Sequence, residues 1–170
     1  MAGMVAWVAR AAVRAGTGRV ALASSDPAGP ELARRLGVES VSDGGLPWNE
    51  GLVHARSLLE RPAAAVLYLA GDLPLIDPAD VTALVEAGGE ATAVVGRAHD
   101  GGTNALWVCP AAALAPAFGA VASASVHAAR AHERGLEAVI LDRPAIARDV
   151  DTPADLAAVR RLAAAGASLI

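Results

Sequence analysis

Eight consecutive apolar residues, Ala63 to Ala70, run without a break into Gly71-Asp72-Leu73-Pro74-Leu75. A half-exposed strand alternates polar and apolar residues, so a short run this apolar predicts a strand covered on both faces, central in a parallel sheet. Ligands of such sheets bind outside the carboxyl ends of the strands. Asp72 falls at that point, and Pro74 holds the following turn off the ladder. A carboxylate there either bonds its own turn or faces the crevice, and Asp72 alone leaves both readings open.

The remaining chain alternates helix and strand patterns. A helix over Met4 to Ala15 is closed by Gly16 and Gly18, and a strand follows over Arg19 to Ala23. Next come a helix from Pro30 to Leu36, a strand from Glu39 to Val41 and a helix from Asn49 to Leu59. After the Asp72 strand, Asp77-Pro78 reads as N-cap and first residue of a helix reaching Ala87. Strands at Ala91 to Gly96 and Asn104 to Cys109, a helix from Ser123 to Arg134, a strand at Ala138 to Leu141 and a helix from Pro153 to Ala165 complete the pattern. Thr152 and Asp155 suit the start of that last helix. This alternation predicts one three-layer α/β domain over residues 1–170, with no strand ahead of the first helix.

A net charge of -4 and only five aromatic residues, three Trp with one Tyr and one Phe, argue against a nucleic-acid surface. A small anion can still be held through metal and backbone amides. The longest apolar run is far short of the ~18 to 20 residues that span a bilayer, and no basic leader precedes it, so no membrane association and a cytoplasmic location are expected. The single Cys109 sits in a strand pattern and reads as packing rather than as a nucleophile.

Four groups of residues carry candidate chemistry. Asp149-Val150-Asp151 alternates, which turns both carboxylates the same way, toward one cation; the alternative is helix-entry capping by Asp151. Together with Asp72 they suit a divalent metal carrying a triphosphate. Asp100-Gly101-Gly102-Thr103-Asn104 offers close backbone approach, a hydroxyl and an amide, suited to a phosphate or carboxylate and equally to a plain hairpin turn. Phe118-Gly119 followed by Ser123 and His127 puts a hydroxyl at a helix start with the histidine one turn onward on the same face; an N-cap serine and a surface histidine would look identical. His54, His99 and His132 share no metal-ligand spacing with His127, and zinc is not expected.

Taken in order, Gly71-Asp72-Leu73-Pro74-Leu75, Gly101-Gly102-Thr103-Asn104-Ala105-Leu106, Phe118-Gly119 with Ser123 and His127, and Asp149-Val150-Asp151-Thr152-Pro153-Ala154-Asp155-Leu156 resemble the phospholactate or phosphoenolpyruvate guanylyltransferases of coenzyme F-420 biosynthesis. The resemblance implies a Rossmann-like nucleotidyltransferase fold of the nucleotide-diphospho-sugar transferase type, with a mostly parallel mixed sheet. It implies transfer of a guanylyl group from GTP to a phosphorylated three-carbon acid, with Mg2+ and release of pyrophosphate. By the same resemblance Asp72, Asp149 and Asp151 are catalytic and hold the metal. Thr103, Gly119 and Ser123 grip the acid, with Gly102, Asn104 and His127 beside them, while Asn49 and Gly71 contact the nucleotide.

The chain departs from that family pattern in three places. The family opens with a strand and a basic nucleotide loop, and this sequence begins after both, which leaves a first strand missing. The resulting unpaired core surface predicts poor stability or compensation by a partner, such as a second copy in a homodimer. The family serine after Phe-Gly falls on Ala122, so Ser123 substitutes only with one inserted residue, and Ala98-His99 replaces the usual Asp-Arg ahead of the glycines. A truncated or inactive guanylyltransferase, another nucleotidyltransferase of molybdopterin or sugar-phosphate type, and a non-catalytic binding or regulatory subunit therefore all remain as readings. Phosphoenolpyruvate is the expected acceptor.

Overall fold

The computed structural model of the protein describes residues 2–59 and 63–166. Six helices and six strands are described, alternating except where β4 and β5 follow one another: α1 (Ala2–Ala15), β1 (Ala21–Ala23), α2 (Gly29–Leu36), β2 (Glu39–Val41), α3 (Trp48–Ser57), β3 (Val66–Leu69), α4 (Pro78–Glu86), β4 (Thr92–Arg97), β5 (Thr103–Cys109), α5 (Ser123–Glu133), β6 (Glu137–Leu141) and α6 (Pro153–Gly166). Local chemistry sets the ends. Gly37 stops α2 in the left-handed conformation that an L side chain resists. At α4, Asp77 accepts the amide of Asp80 while the Asp80 side chain accepts the amide of Asp77, a reciprocal cap of about 1 kcal/mol or more. Thr152 and Asp155 form the same reciprocal arrangement ahead of α6.

The strands form two sheets. β1 and β2 pair in parallel, and β3-β5-β4-β6 form a mixed four-stranded sheet in which β5 runs against both neighbours and β4 pairs in parallel with β6. This corrects the reading of the Asp72 strand. Among the described residues β3 is the outermost strand of its sheet, antiparallel to β5, and the central places belong to β4 and β5. Three of the four strands, β3, β4 and β6, run the same way and only β5 runs against them, in keeping with the mostly parallel mixed sheet expected. The apolar run misled because coverage of both faces, and not central position, is what removes polar residues from a strand. Val66 and Tyr68 join the core beneath α5 and Leu52 of α3, whereas Leu67 and Leu69 pack with Val8 and Ala11 of α1 and Val81 of α4.

Val94, Val95, Leu106 and Val108 have no exposed surface, which contributes about 1.5–3 kcal/mol for each such side chain. On the face shared with Val94, Trp107 packs so tightly that a β-carbon at Gly88 would lie 2.5 Å from its ring. The three layers are thus α3 and α5, the four-stranded sheet, and α1 with α4. Among the described residues no helix is long and apolar enough to cross a membrane.

Candidate active site

β3, β4 and β6 all point the same way and β5 points against them, so the carboxyl ends of three strands and the amino end of β5 share one rim. Asp72 follows β3 onto that rim. The amide of Val150 donates to the Asp72 carbonyl at 3.2 Å, which brings the Asp149-Val150-Asp151 segment beside it. Asp72 Oδ1 is buried and has no hydrogen-bond partner among the described residues. Burial pushes the Asp72 carboxyl above its ordinary value, and the charges of Asp149 and Asp151 add to the rise. A carboxylate kept dry, unpartnered and beside two like charges is costly unless a cation neutralises it. The three do not form a closed cage: among the described residues no three His, Cys, Asp or Glu side chains are in position to hold a metal ion.

The acidic segment is held from two directions. The Asn104 side-chain amide, 4% exposed, donates to the Ile146 carbonyl at 2.8 Å. The backbone amide of His99 donates to Ala147 O at 3.0 Å, and its ring nitrogen Nδ1 stands 3.2 Å from the same oxygen and 3.9 Å from Asp149 Oδ1. Asn104 therefore supports the carboxylates from within. Gly71 serves packing, since a β-carbon there would meet Val5 of α1 at 3.1 Å.

A second set of groups gathers where β5 begins. Ser123 Oγ donates to Thr103 Oγ1 at 3.1 Å, His127 Nδ1 lies 3.0 Å from the same oxygen, and the Ala117 amide donates to His127 Nε2 at 2.8 Å. Ser123 and His127 have no exposed surface and Thr103 only 6%. Burial drives the His127 pKa down to about 4, so the ring is neutral near pH 7. The two bland readings of this pair both fail: Ser123 is the first residue of α5 with Ala122 as N-cap, and His127 is an interior residue. Ala122 takes φ 50, an uncommon conformation for a residue with a β-carbon, and this extra step lets Ser123 turn inward despite the added residue.

Asn49 also acts internally. Its side-chain amide donates to the Phe118 carbonyl at 3.0 Å and its Oδ1 accepts the Phe118 amide at 2.8 Å. Both bonds fix the backbone just before Gly119, whose φ of 76 requires glycine. Asn49, expected at the nucleotide, is thus engaged as a brace on the Phe118-Gly119 loop. Gly102 is likewise engaged in the β4–β5 turn, donating to Asp100 Oδ1 at 2.8 Å and accepting from the Ala98 amide at 3.0 Å.

The rim thus carries Asp72 beside the Asp149 segment and, where β5 begins, a fixed hydroxyl cluster. A sequence model of the family described as guanylyl transferase CofC like matches residues 4–161. The chain belongs to this family. Among CofC-like relatives, the phosphoenolpyruvate guanylyltransferase of Rubrobacter xylanophilus is 44% identical over 155 residues, covering 89% of this chain and 74% of the relative. The protein of the same name from Sphaerobacter thermophilus is 41% identical, covering 88% and 72%. The fold agrees with that of a nucleotidyl transferase from Methanothermobacter thermautotroptrophicus, with TM-score 0.71 at 18% identity over 93% of this chain and 79% of the other. It also agrees with CMP:2-keto-3-deoxy-manno-octonic acid synthetase complexed with CTP, with TM-score 0.64 at 18% identity over 96% and 88%.

Three features of the structure had escaped the sequence reading, two of them beside the residues above and one at the β1-β2 sheet. Trp48, 55% exposed, stacks on Phe118 with ring centroids 5.2 Å apart. His99 supports the Asp149 segment although it has no place in a metal-ligand spacing. Ser25, at the carboxyl end of β1, donates to the Asp43 carboxylate and accepts from Gly45 at 2.7 Å, tying the loops after β1 and β2 together. An exposed tryptophan in a chain with so few aromatic residues was the one signal that could have drawn notice.

Proposed function

We propose that the chain joins the guanylyl group of GTP to the phosphate of phosphoenolpyruvate and releases pyrophosphate. Supporting this reading are relatives named for that activity, and above all the approach of the Asp149-Val150-Asp151 segment to Asp72, whose buried oxygen has no partner. The nucleophile is already an anion, so no side chain has to remove a proton from it. A phosphate oxygen of the acid attacks the α-phosphorus, the new oxygen–phosphorus bond forms, and the bond to the β-phosphate breaks. The chain's task is alignment and neutralisation of charge.

In this reading Asp72, Asp149 and Asp151 would hold Mg2+, and the buried, partnerless Oδ1 of Asp72 is the observation that supports a cation there. Bound there, the ion supplies positive charge to the phosphate oxygens during transfer. Thr103 and the backbone at Gly119 hold the acid, with Ser123, His127 and Asn49 behind them and Asn104 behind the carboxylates. Phosphoenolpyruvate is preferred to phospholactate because the relatives carry its name. The test is pyrophosphate release from GTP and Mg2+ with each acid in turn. Release with phosphoenolpyruvate above that with phospholactate supports the assignment; release with neither, from a folded chain, removes it.

A further inference from the structure

Thr103, Ser123 and His127 form one buried hydrogen-bonded cluster. Their hydrogen-bond directions say more. A backbone amide can only donate, so the Ala117 N–H at 2.8 Å requires a lone pair on His127 Nε2. A neutral imidazole with its lone pair on Nε2 carries its proton on Nδ1. The opposite tautomer would set two N–H groups head to head. Nδ1–H therefore donates to Thr103 Oγ1 at 3.0 Å. Ser123 Oγ donates to the same oxygen at 3.1 Å. A hydroxyl oxygen has two lone pairs, and both are now filled.

From this polarity we infer that His127 is a positioning residue that, with Ser123, turns Thr103 into a pure donor, so that Thr103 Oγ1–H is the one hydroxyl proton of the cluster left for a substrate. Such a donor takes an anionic oxygen, a carboxylate or phosphate, and has no lone pair for a ligand hydroxyl. Ser123 then stands behind Thr103, its own proton already given away. The same ring ties Thr103 to Ala117, hence to the loop that Asn49 braces at Phe118, so both parts of the acid subsite are set by one side chain. The inference rests on the acid-binding role proposed above for Thr103.

The histidine proton is read first, without substrate, by long-range 1H–15N correlation on the 15N-labelled chain at neutral pH, with His127→Asn to assign the ring. An Nδ1–H tautomer is expected; an Nε2–H tautomer or an imidazolium overturns the inference, whether or not the chain turns over. The second arm separates the two bonds. In His127→Gln an amide oxygen replaces Nε2 and no donor faces Thr103, and loss of that one bond raises the KM for phosphoenolpyruvate by about tenfold with little change in the KM for GTP. His127→Asn keeps a donor near Nδ1 and raises it less. Equal changes in both variants, or a matching rise in the KM for GTP, overturn the inference. Should either variant fail to melt cooperatively, Thr103→Ser against Thr103→Val decides by the same KM: the hydroxyl variant is expected near wild type and the valine variant at least about tenfold worse, and a valine variant with unchanged KM refutes the role. Absence of turnover in the wild-type chain would remove the proposed function and leave the tautomer result standing on its own.

Discussion

The amide of Val150 and the carbonyl of Asp72 meet at 3.2 Å, a backbone bond that joins the middle of the chain to its last loop and sets three carboxylates on one rim. No side chain offsets the buried Oδ1 of Asp72 among the described residues, so this carboxylate costs stability.

Asp72→Asn should accordingly separate stability from activity. Turnover falls by at least about a hundredfold, the loss usual for a group stabilising transition-state charge. Thermal stability without metal rises at neutral pH. The folded-state pKa of Asp72 is raised, so the native chain holds this proton more tightly than the unfolded one and its penalty is complete above the folded pKa. The advantage of the variant should shrink as pH falls through that raised value, and melting curves over a pH series check it.

His127 gives the opposite pH trend. Its folded pKa of about 4 lies below the ordinary 6.5, so the unfolded chain binds this proton first. Stability is full above about 6.5 and is lost as pH falls toward 4, by up to about 3 kcal/mol for this group. Urea unfolding across that window, compared with His127→Asn, isolates the contribution; a variant with the same slope as wild type would refute it.

Mg2+ alone should shift the melting temperature little, because among the described residues no three carboxylate, His or Cys side chains are placed to hold a metal. With GTP present the two should stabilise together, and a site filled at a hundred times its Kd contributes about 2.7 kcal/mol. Calorimetry with Mg2+, with GTP and with both gives the comparison, and chelation should abolish the joint effect.

Asn49→Ala removes both bonds to the Phe118 backbone and should destabilise the chain by about 1–3 kcal/mol. Its kinetic effect should fall on the KM for the acid, through Gly119, and spare that for GTP. A larger change for GTP would restore the nucleotide role first read from the sequence.

Every helix and strand expected from periodicity and caps is present, with ends shifted by a few residues, because Gly37, Asp77 and Thr152 act locally. The place of β3 in the sheet was not legible, since strand order depends on contacts remote in sequence and the run Ala63 to Ala70 reports only that both faces are covered. At the rim, residue types could be read but not their directions. Asn49 and Asn104 carry the polar amide expected near a ligand, yet each is turned onto a carbonyl of its own chain. Ser123 pointed inward only because Ala122 took an unusual backbone conformation, which no spacing rule registers.

The strand order β3-β5-β4-β6 interleaves two tasks: Asp72 follows β3 and the Asp149 loop follows β6, while Thr103 opens β5 between them. The hairpin of β4 and β5, packed against α5, is joined to the acidic loop through the Asn104 bond to Ile146. A substitution in that hairpin that leaves Asn104 in place should therefore leave the geometry of the Asp72 rim unchanged.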